Sequence, residues 1–285
     1  MTRNVNQAVI SIASVSYLNA RPLIWGLEHD PHIRLVLDVP SKLIDHLRDG
    51  DCDVALLPTI DYQRLSGLKI LPAGGIGSDG QTLTVRIFAR QPLEKIRTLA
   101  CDTDSHTSVA LARIILAERF GTRPELIELS KATGRLDEAK LLIGDKVVCE
   151  EPEGYPHQYD LGEQWKLMTG LPFVFAVWTA REQAHLGDLQ SKLETAKQQG
   201  LKHVDEIVKN HAIPRGWPAR LAMQYLTEYL KFDISDIHLR AIARFHELAA
   251  RYALIASPPQ PLRIAEDTST ASVFGSLSPE GRGQG

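Results

Sequence analysis

From residue 9 to about residue 169 the chain alternates short apolar runs with amphipathic helical patterns, and that alternation leaves few folds open. Strand-like runs lie at 9–15, 33–39, 53–57, 83–89, 98–102, 126–129 and 142–149. Helical patterns lie between them, at about 22–29, 41–49, 59–66, 107–120, 135–141 and 160–169. Ser41 before the second helix and Gly50 after it are a start and stop pair. Parallel strands need long crossovers, usually helical, so the pattern predicts an α/β protein with mostly parallel strands. The apolar run Leu171-Pro172-Phe173-Val174-Phe175-Ala176-Val177-Trp178 then closes the strand signals, and helical patterns follow at about 181–198, 201–211, 218–231 and 234–251.

The middle of the chain, 90–178, therefore reads as one lobe with its own sheet, inserted into a first lobe made of 1–89 and 179–256. Two crossings, near 86–92 and 172–180, would form a hinge, an arrangement suited to trapping a small ligand between lobes. The remainder, 257–285, is rich in Pro, Ser, Thr and Gly without sustained periodicity and reads as a disordered tail. With 285 residues, 44% hydrophobic and 24% charged, the chain has ample core for such a body. A net charge of −3 gives no electrostatic case for nucleic acid. No apolar stretch reaches transmembrane length, and the first residues lack the pattern of a cleaved signal, which predicts a cytoplasmic protein without a membrane partner. Cys52, Cys101 and Cys149 lie beside apolar residues and read as buried reduced thiols, with no spacing that suggests zinc.

Chemistry is expected where strands give way to small polar residues. At Val15-Ser16-Tyr17-Leu18-Asn19-Ala20-Arg21-Pro22, Ser16 and Asn19 can donate to or accept from a ligand, and Arg21 offers a fork for a carboxylate. Capping of a helix beginning near Pro22 would use Ser16 and Asn19 equally well. At Asp102-Thr103-Asp104-Ser105-His106-Thr107-Ser108, three hydroxyls (Ser105, Thr107, Ser108) meet the free amides of a helix start, which suits a carboxylate or phosphate or a plain N-cap. After the buried run ending at Pro58, Thr59 can aim its hydroxyl and amide into a cleft, whereas Asp61 and Tyr62 read as first-turn helix residues. Gly74–Gly80 lacks the strand-to-helix context of a phosphate loop and reads as a flexible turn near the hinge. Asp145, after Leu142-Ile143-Gly144, reads as a general base or a turn cap. Of the ten histidines only His106 falls in a candidate site; His246 and its neighbours read as solvated.

Six motifs in register, S-Y-L-N-x-x-P-L, C-D-V-A-L-L-P, S-D-G, S-x-T-S-V-A-L, L-I-G-D and Y-D-L-G-x-x-W-x-x-x-T-G-L-P-F-V-F-A-x-W, resemble the menaquinone-biosynthetic chorismate dehydratases from Ser16 to Trp178 and on to about Tyr252. The resemblance implies a two-lobed type II periplasmic-binding-protein fold used as an enzyme. It also implies conversion of chorismate to 3-[(1-carboxyvinyl)oxy]benzoate and water on the futalosine route, a carbon–oxygen lyase reaction that needs no cofactor and no metal. Two departures stand out: His106 replaces the usual Arg of S-R-T-S, and Gln81-Thr82-Leu83-Thr84-Val85 varies the stretch after S-D-G, with Thr84 keeping a hydroxyl.

The implied site comprises Asn19 and Asp145 as catalytic candidates. Ser16, Arg21, Thr59, Ser78, Thr84, Ser105, His106, Thr107 and Ser108 are its substrate contacts, with chorismate as partner to a monomer or homodimer. Alternatives are a 1,4-dihydroxy-6-naphthoate synthase, whose typical Ser-Pro-Cys-Pro-Asn-Asp first loop is missing here, or a non-catalytic small-anion-binding protein.

Overall fold

A computed structural model describes residues 9–131 and 138–266 as two sheets facing one cleft. The first sheet holds β1 (Ile10–Val15), β2 (Ile33–Asp38), β3 (Val54–Pro58), β4 (Leu68–Ser78), β10 (Phe173–Arg181) and β11 (Leu230–Lys231), in the order β11-β4-β10-β3-β1-β2. The second holds β5 (Val85–Ala89), β6 (Thr98–Cys101), β7 (Glu125–Glu128), β8 (Ala139–Ile143) and β9 (His157–Asp160), in the order β7-β6-β8-β5-β9. β1 pairs in parallel with β2 and β3, and β6 with β7 and β8, as the alternation predicts. β10 runs antiparallel to β3 and β4, and β5 antiparallel to β8 and β9. The reason is topological: these strands follow the two crossings, so each enters its sheet from the cleft end while its neighbours run toward it.

The crossings consequently fall at 79–84 and 161–172, earlier than the hydrophobic pattern suggests. β5 belongs to the second sheet and the apolar run 173–178 to the first, because a run buried on both faces shows no sign of which sheet it joins. Gly74–Gly77 is not a turn but the end of β4. A Cβ on Gly75 would lie 2.5 Å from the Ala176 carbonyl, so glycine here permits close backbone approach across the bulged β4–β10 pair. The expected strand 142–149 breaks after Ile143. Gly144, at φ +62, turns the chain into a short helix, α3 (Asp145–Cys149). The helix expected at 135–141 lies partly outside the described residues, and 139–141 is strand.

Helices α1 (Leu43–Asp49), α2 (His106–Arg119) and α4 (Leu161–Thr169) cover the sheets, and α5 (Leu189–Lys202), α6 (Val204–Ile207), α7 (Ala219–Gln224) and α8 (Asp236–Arg251) form the carboxyl half. α8 buries Phe245, Leu248 and Ala249 in the same cluster as Trp165, Phe173 and the apolar face of α2, so it packs on the second lobe as well as the first. Cys52 and Cys101 are buried and burial pushes both thiols up to about 12; Cys149 is exposed, because α3 turns it out of the core. Residues 257–266 are ordered rather than tail: Gln260 donates to the carbonyls of Tyr62 and Leu65, and Ile264 bridges to Ile70. Residues 267–285 lie outside the described range.

His246 is 1% exposed, not solvated. Its Nε2 donates to the Thr59 carbonyl at 2.8 Å and its Nδ1 accepts from Gln63, which fixes the neutral tautomer. Burial lowers its pKa from 6.5 to about 4. Between those values the unfolded chain carries the extra proton, so stability is full above pH 6.5 and falls as the pH drops to 4, by about 3 kcal/mol. Urea midpoints measured from pH 7 to 4.5 should fall more steeply for the wild type than for His246→Gln; parallel slopes would remove His246 as the cause.

Candidate active site

The carboxyl ends of β1, β3, β4, β6 and β8 converge on a cleft between the sheets, as strands in open α/β layers do at ligand sites. The cavity between its walls holds only about 50 Å³, a narrow slot. The polar lining is Tyr17, Asn19, Thr82, Thr84, Ser105, Ser108 and Tyr225; Val15, Ile76, Val85, Ile143 and Phe175 supply apolar walls. Every polar side chain on that wall is uncharged at neutral pH.

Asn19 sits in a 3₁₀ helix (Leu18–Ile24) that follows β1, with no side-chain cap at its start. The Asn19 amide is hydrogen-bonded to the Tyr225 phenol, while its Oδ1 is buried with no partner. Tyr225 is fully buried and its hydroxyl lies 2.8 Å from Thr84 Oγ1. Across the slot Ser105 caps α2, accepting from the Ser108 amide, and its Oγ is 3.0 Å from Ser108 Oγ. The Tyr17 hydroxyl donates to Asp104, and burial followed by the neighbouring Asp104 and Asp102 carboxylates holds its pKa above the ordinary value. Burial does the same for Tyr225. Both phenols therefore stay protonated, the Tyr17 proton directed to Asp104 and the Tyr225 hydroxyl paired with Thr84.

Asn19, Thr84, Ser105 and Ser108 are the sequence-predicted residues that line the cleft. The others have different partners. Thr59 donates its hydroxyl to the Val174 carbonyl and its amide to that of Phe175, so it stitches β3 to β10. Thr107 is buried and accepts from the Ile60 amide. Ser78 is buried beneath the start of α4 with its Oγ unpartnered. Ser16 lies at the rim, its carbonyl accepting from both Arg21 and Arg215. Arg21 thus gives one guanidinium nitrogen to backbone while its Nε is buried without a partner; burial, then the nearby Arg215, lowers its pKa. His106 turns away from the slot to Asp61, 3.0 Å from Nδ1, joining the lobes behind it; Asp61 is fully buried and also pairs with Arg64.

Asp145 does not line the slot. Its Oδ1 accepts from Trp217 Nε1 at 3.0 Å and its Oδ2 is 3.7 Å from Arg215, both from the carboxyl half. Trp217 in turn stacks on Tyr225. The pair therefore ties α3 to the carboxyl half as a latch. Lys146, next in sequence, binds Asp102 at 2.7 Å and Asp104 at 3.0 Å; burial opposes its charge, but these bonds outweigh it and raise its pKa. Tyr17, Thr82 and Tyr225 were not read from the sequence as site residues. Tyr17 sits inside the first motif, between Ser16 and Asn19. Tyr225 lies on a helical pattern that carries no local polar signal.

Among the described residues no group of three His, Cys, Asp or Glu side chains is placed to hold a metal ion, and no helix is long and apolar enough to cross a membrane.

A family model described as menaquinone biosynthesis matches residues 10–251, most of the chain and every strand of both sheets. The chain belongs to that family. Among curated relatives of this menaquinone-biosynthesis protein, the chorismate dehydratase of Thermus thermophilus is 29% identical over 236 residues, covering 75% of this chain and 85% of the relative. That of Campylobacter jejuni is 27% identical over 242 residues, covering 81% and 93%. Among solved structures, a protein from Archaeoglobus fulgidus superposes with a TM-score of 0.69 at 16% identity, over 86% of this chain and 98% of its own. An alkanesulfonate-binding protein from Xanthomonas axonopodis gives 0.60 at 12%, over 90% and 96%. These likenesses show the fold, that of the periplasmic binding proteins.

Proposed function

We propose that this chain is a chorismate dehydratase that eliminates water from chorismate to give 3-[(1-carboxyvinyl)oxy]benzoate, as the first step of the futalosine route to menaquinone. The carrying observation is the slot lined by neutral donors from both lobes, in a chain whose curated relatives bear that name. Chorismate is a flat-ringed dianion. The start of α2 with Ser105 and Ser108 suits one carboxylate through hydroxyls, free amides and the helix dipole. Tyr17 and the hydroxyls of Thr82 and Thr84 suit the other end of the substrate.

The reaction removes the C3 proton and the C4 hydroxyl, so carbon, hydrogen and oxygen balance as benzoate product plus water, with no change in oxidation state. The C3 proton is vinylogous to the ring carboxylate, and donors around that carboxylate stabilise the charge developing as the proton leaves. Among the described residues no Asp, Glu or His lines the slot, which favours the substrate's own enolpyruvyl carboxylate as the acceptor over Asp145 or a held water; it passes the proton to the departing hydroxyl. On this reading the Asn19 Oδ1, buried and unpartnered, accepts from that hydroxyl and orients it. Closure of the lobes supplies the remaining terms, orientation and exclusion of water.

Purified protein mixed with chorismate should consume it and release a product lighter by one water. Binding without consumption would make the chain an anion-binding protein, and neither binding nor turnover would end the reading. Asp145→Asn separates the base from the latch. It should leave kcat within about tenfold while raising KM, because the residue ties α3 to the carboxyl half without lining the slot. A loss of kcat of about 10²–10⁴-fold with folding and substrate binding intact would restore Asp145 as the general base.

A further inference from the structure

Asp160 ends β9, where the second crossing begins, and is 5% exposed. Its carboxylate accepts four backbone N–H groups. Oδ1 takes Thr82 at 2.9 Å, Gly162 at 3.0 Å and Glu163 at 3.1 Å, and Oδ2 takes Leu83 at 2.7 Å. Two of these donors open α4; the other two lie on the first crossing, 78 and 77 residues earlier. Capping needs only the α4 pair. The second pair reaches the turn at Leu83, which stands at φ +68 with the Thr84 amide bonded to the Thr82 carbonyl across it, a left-handed conformation that a leucine resists by about 1–2 kcal/mol.

That strained residue lies between Thr82 and Thr84, both of which line the slot. The crossings also touch directly at Gly162, where a Cβ would meet the Gly80 carbonyl at 2.5 Å and Ser78 Oγ at 2.7 Å. Lys166 of α4 reaches back to Asp79 at 2.5 Å. The facing charge is Arg86, whose Nε is 3.7 Å from Oδ2. Burial pushes the Asp160 carboxyl up, against the pull of its backbone donors.

We propose that Asp160 is a positioning residue: its carboxylate clasps the two lobe crossings together and forces Leu83 into the conformation that turns Thr82 and Thr84 onto the substrate. A role in turnover rests on the dehydratase reading; the clasp itself does not.

Asp160→Asn is the discriminating variant. The amide oxygen can keep the three bonds of Oδ1, including the α4 cap, while its NH₂ meets the Leu83 N–H donor to donor and releases that residue. Turnover of chorismate should fall about 10–100-fold in kcat, on the scale expected from misplacing substrate contacts. Adding Leu83→Gly, which adopts positive φ without a clamp, should recover at least half of the lost activity on a logarithmic scale. Hydrogen exchange of ligand-free protein is the second readout. Amides 82–84 should exchange at least tenfold faster in Asp160→Asn, with β6 unchanged.

Wild-type kcat in Asp160→Asn would overturn the proposal, as would a loss of activity that Leu83→Gly leaves untouched. If the wild type does not consume chorismate, the dehydratase reading fails, and exchange at 82–84 decides the clasp: unchanged rates overturn it. Should Asp160→Asn not fold, Gly162→Ala is measured in its place. Faster exchange at 82–84 with lowered kcat supports the clasp, and unchanged values of both overturn it.

Discussion

Asn19→Ala should lower turnover of chorismate by about 10²–10³-fold, the largest catalytic loss expected from a single cleft residue. The side chain is half-buried at the end of β1, with one amide face hydrogen-bonded to the Tyr225 phenol and the Oδ1 buried and unpartnered on the other. A buried polar atom without a partner is costly, and this one belongs to a residue that lines the slot, where on the dehydratase reading the substrate hydroxyl completes it. Ala removes that acceptor and also unties Tyr225 from the first lobe, leaving the phenol with Thr84 alone. The loss should fall mainly in kcat, with the melting temperature moved little, since the hydroxyl it orients departs only in the transition state. Steady-state kinetics with a thermal melt would check it; kcat within threefold of wild type would remove Asn19 from the reaction.

Gly200→Ala should be the most destabilising small substitution in the carboxyl half. Gly200 lies in α5, which packs across the 3₁₀ helix that carries Asn19 and Arg21. A Cβ there would lie 2.6 Å from Pro22 Cα and 2.7 Å from its carbonyl carbon, and both atoms are backbone, unable to swing aside. The proline holds its own segment stiff. Relief requires α5 to lift off the first motif, at a cost of about 3 kcal/mol or more. The melting temperature should fall by about 5–10 °C, and activity should fall with it because Asn19 rides on the displaced segment. A melting temperature within about 2 °C of wild type would mean that the contact relaxes at little cost.

Much of the architecture was legible without coordinates. Strand runs ending in small polar residues identified β1, β3 and β6 and the loops after them, because burial on both faces imposes an apolar run and the cleft end interrupts it. Six short motifs in register indicated the family that the match over residues 10–251 bears out. Other features escaped for definite physical reasons. Gly74–Gly77 looked like a turn, because glycines demanded by close approach between strands read the same as glycines demanded by a turn. His246 looked solvated, because a polar residue on a helix gives no local sign that a carbonyl and an amide await it in the core.

By itself the sequence determined the α/β class, the family and several of the strands, though not β4 or β9, and four of its candidates line the cleft: Asn19, Thr84, Ser105 and Ser108. Those are properties of local patterning, set by whether a side chain faces core, turn or helix start. Tertiary structure alone decided which hydroxyls face the cleft. Thr59 and Thr107 have the same chemistry as Thr84, but their partners come from Val174 and Ile60, segments far off in the chain or across the lobes. It likewise gave Asp145 its partners, Trp217 and Arg215, which come from the carboxyl half. Whether a polar side chain acts on a ligand depends on what else has already satisfied it, and that is settled only when distant parts of the chain meet.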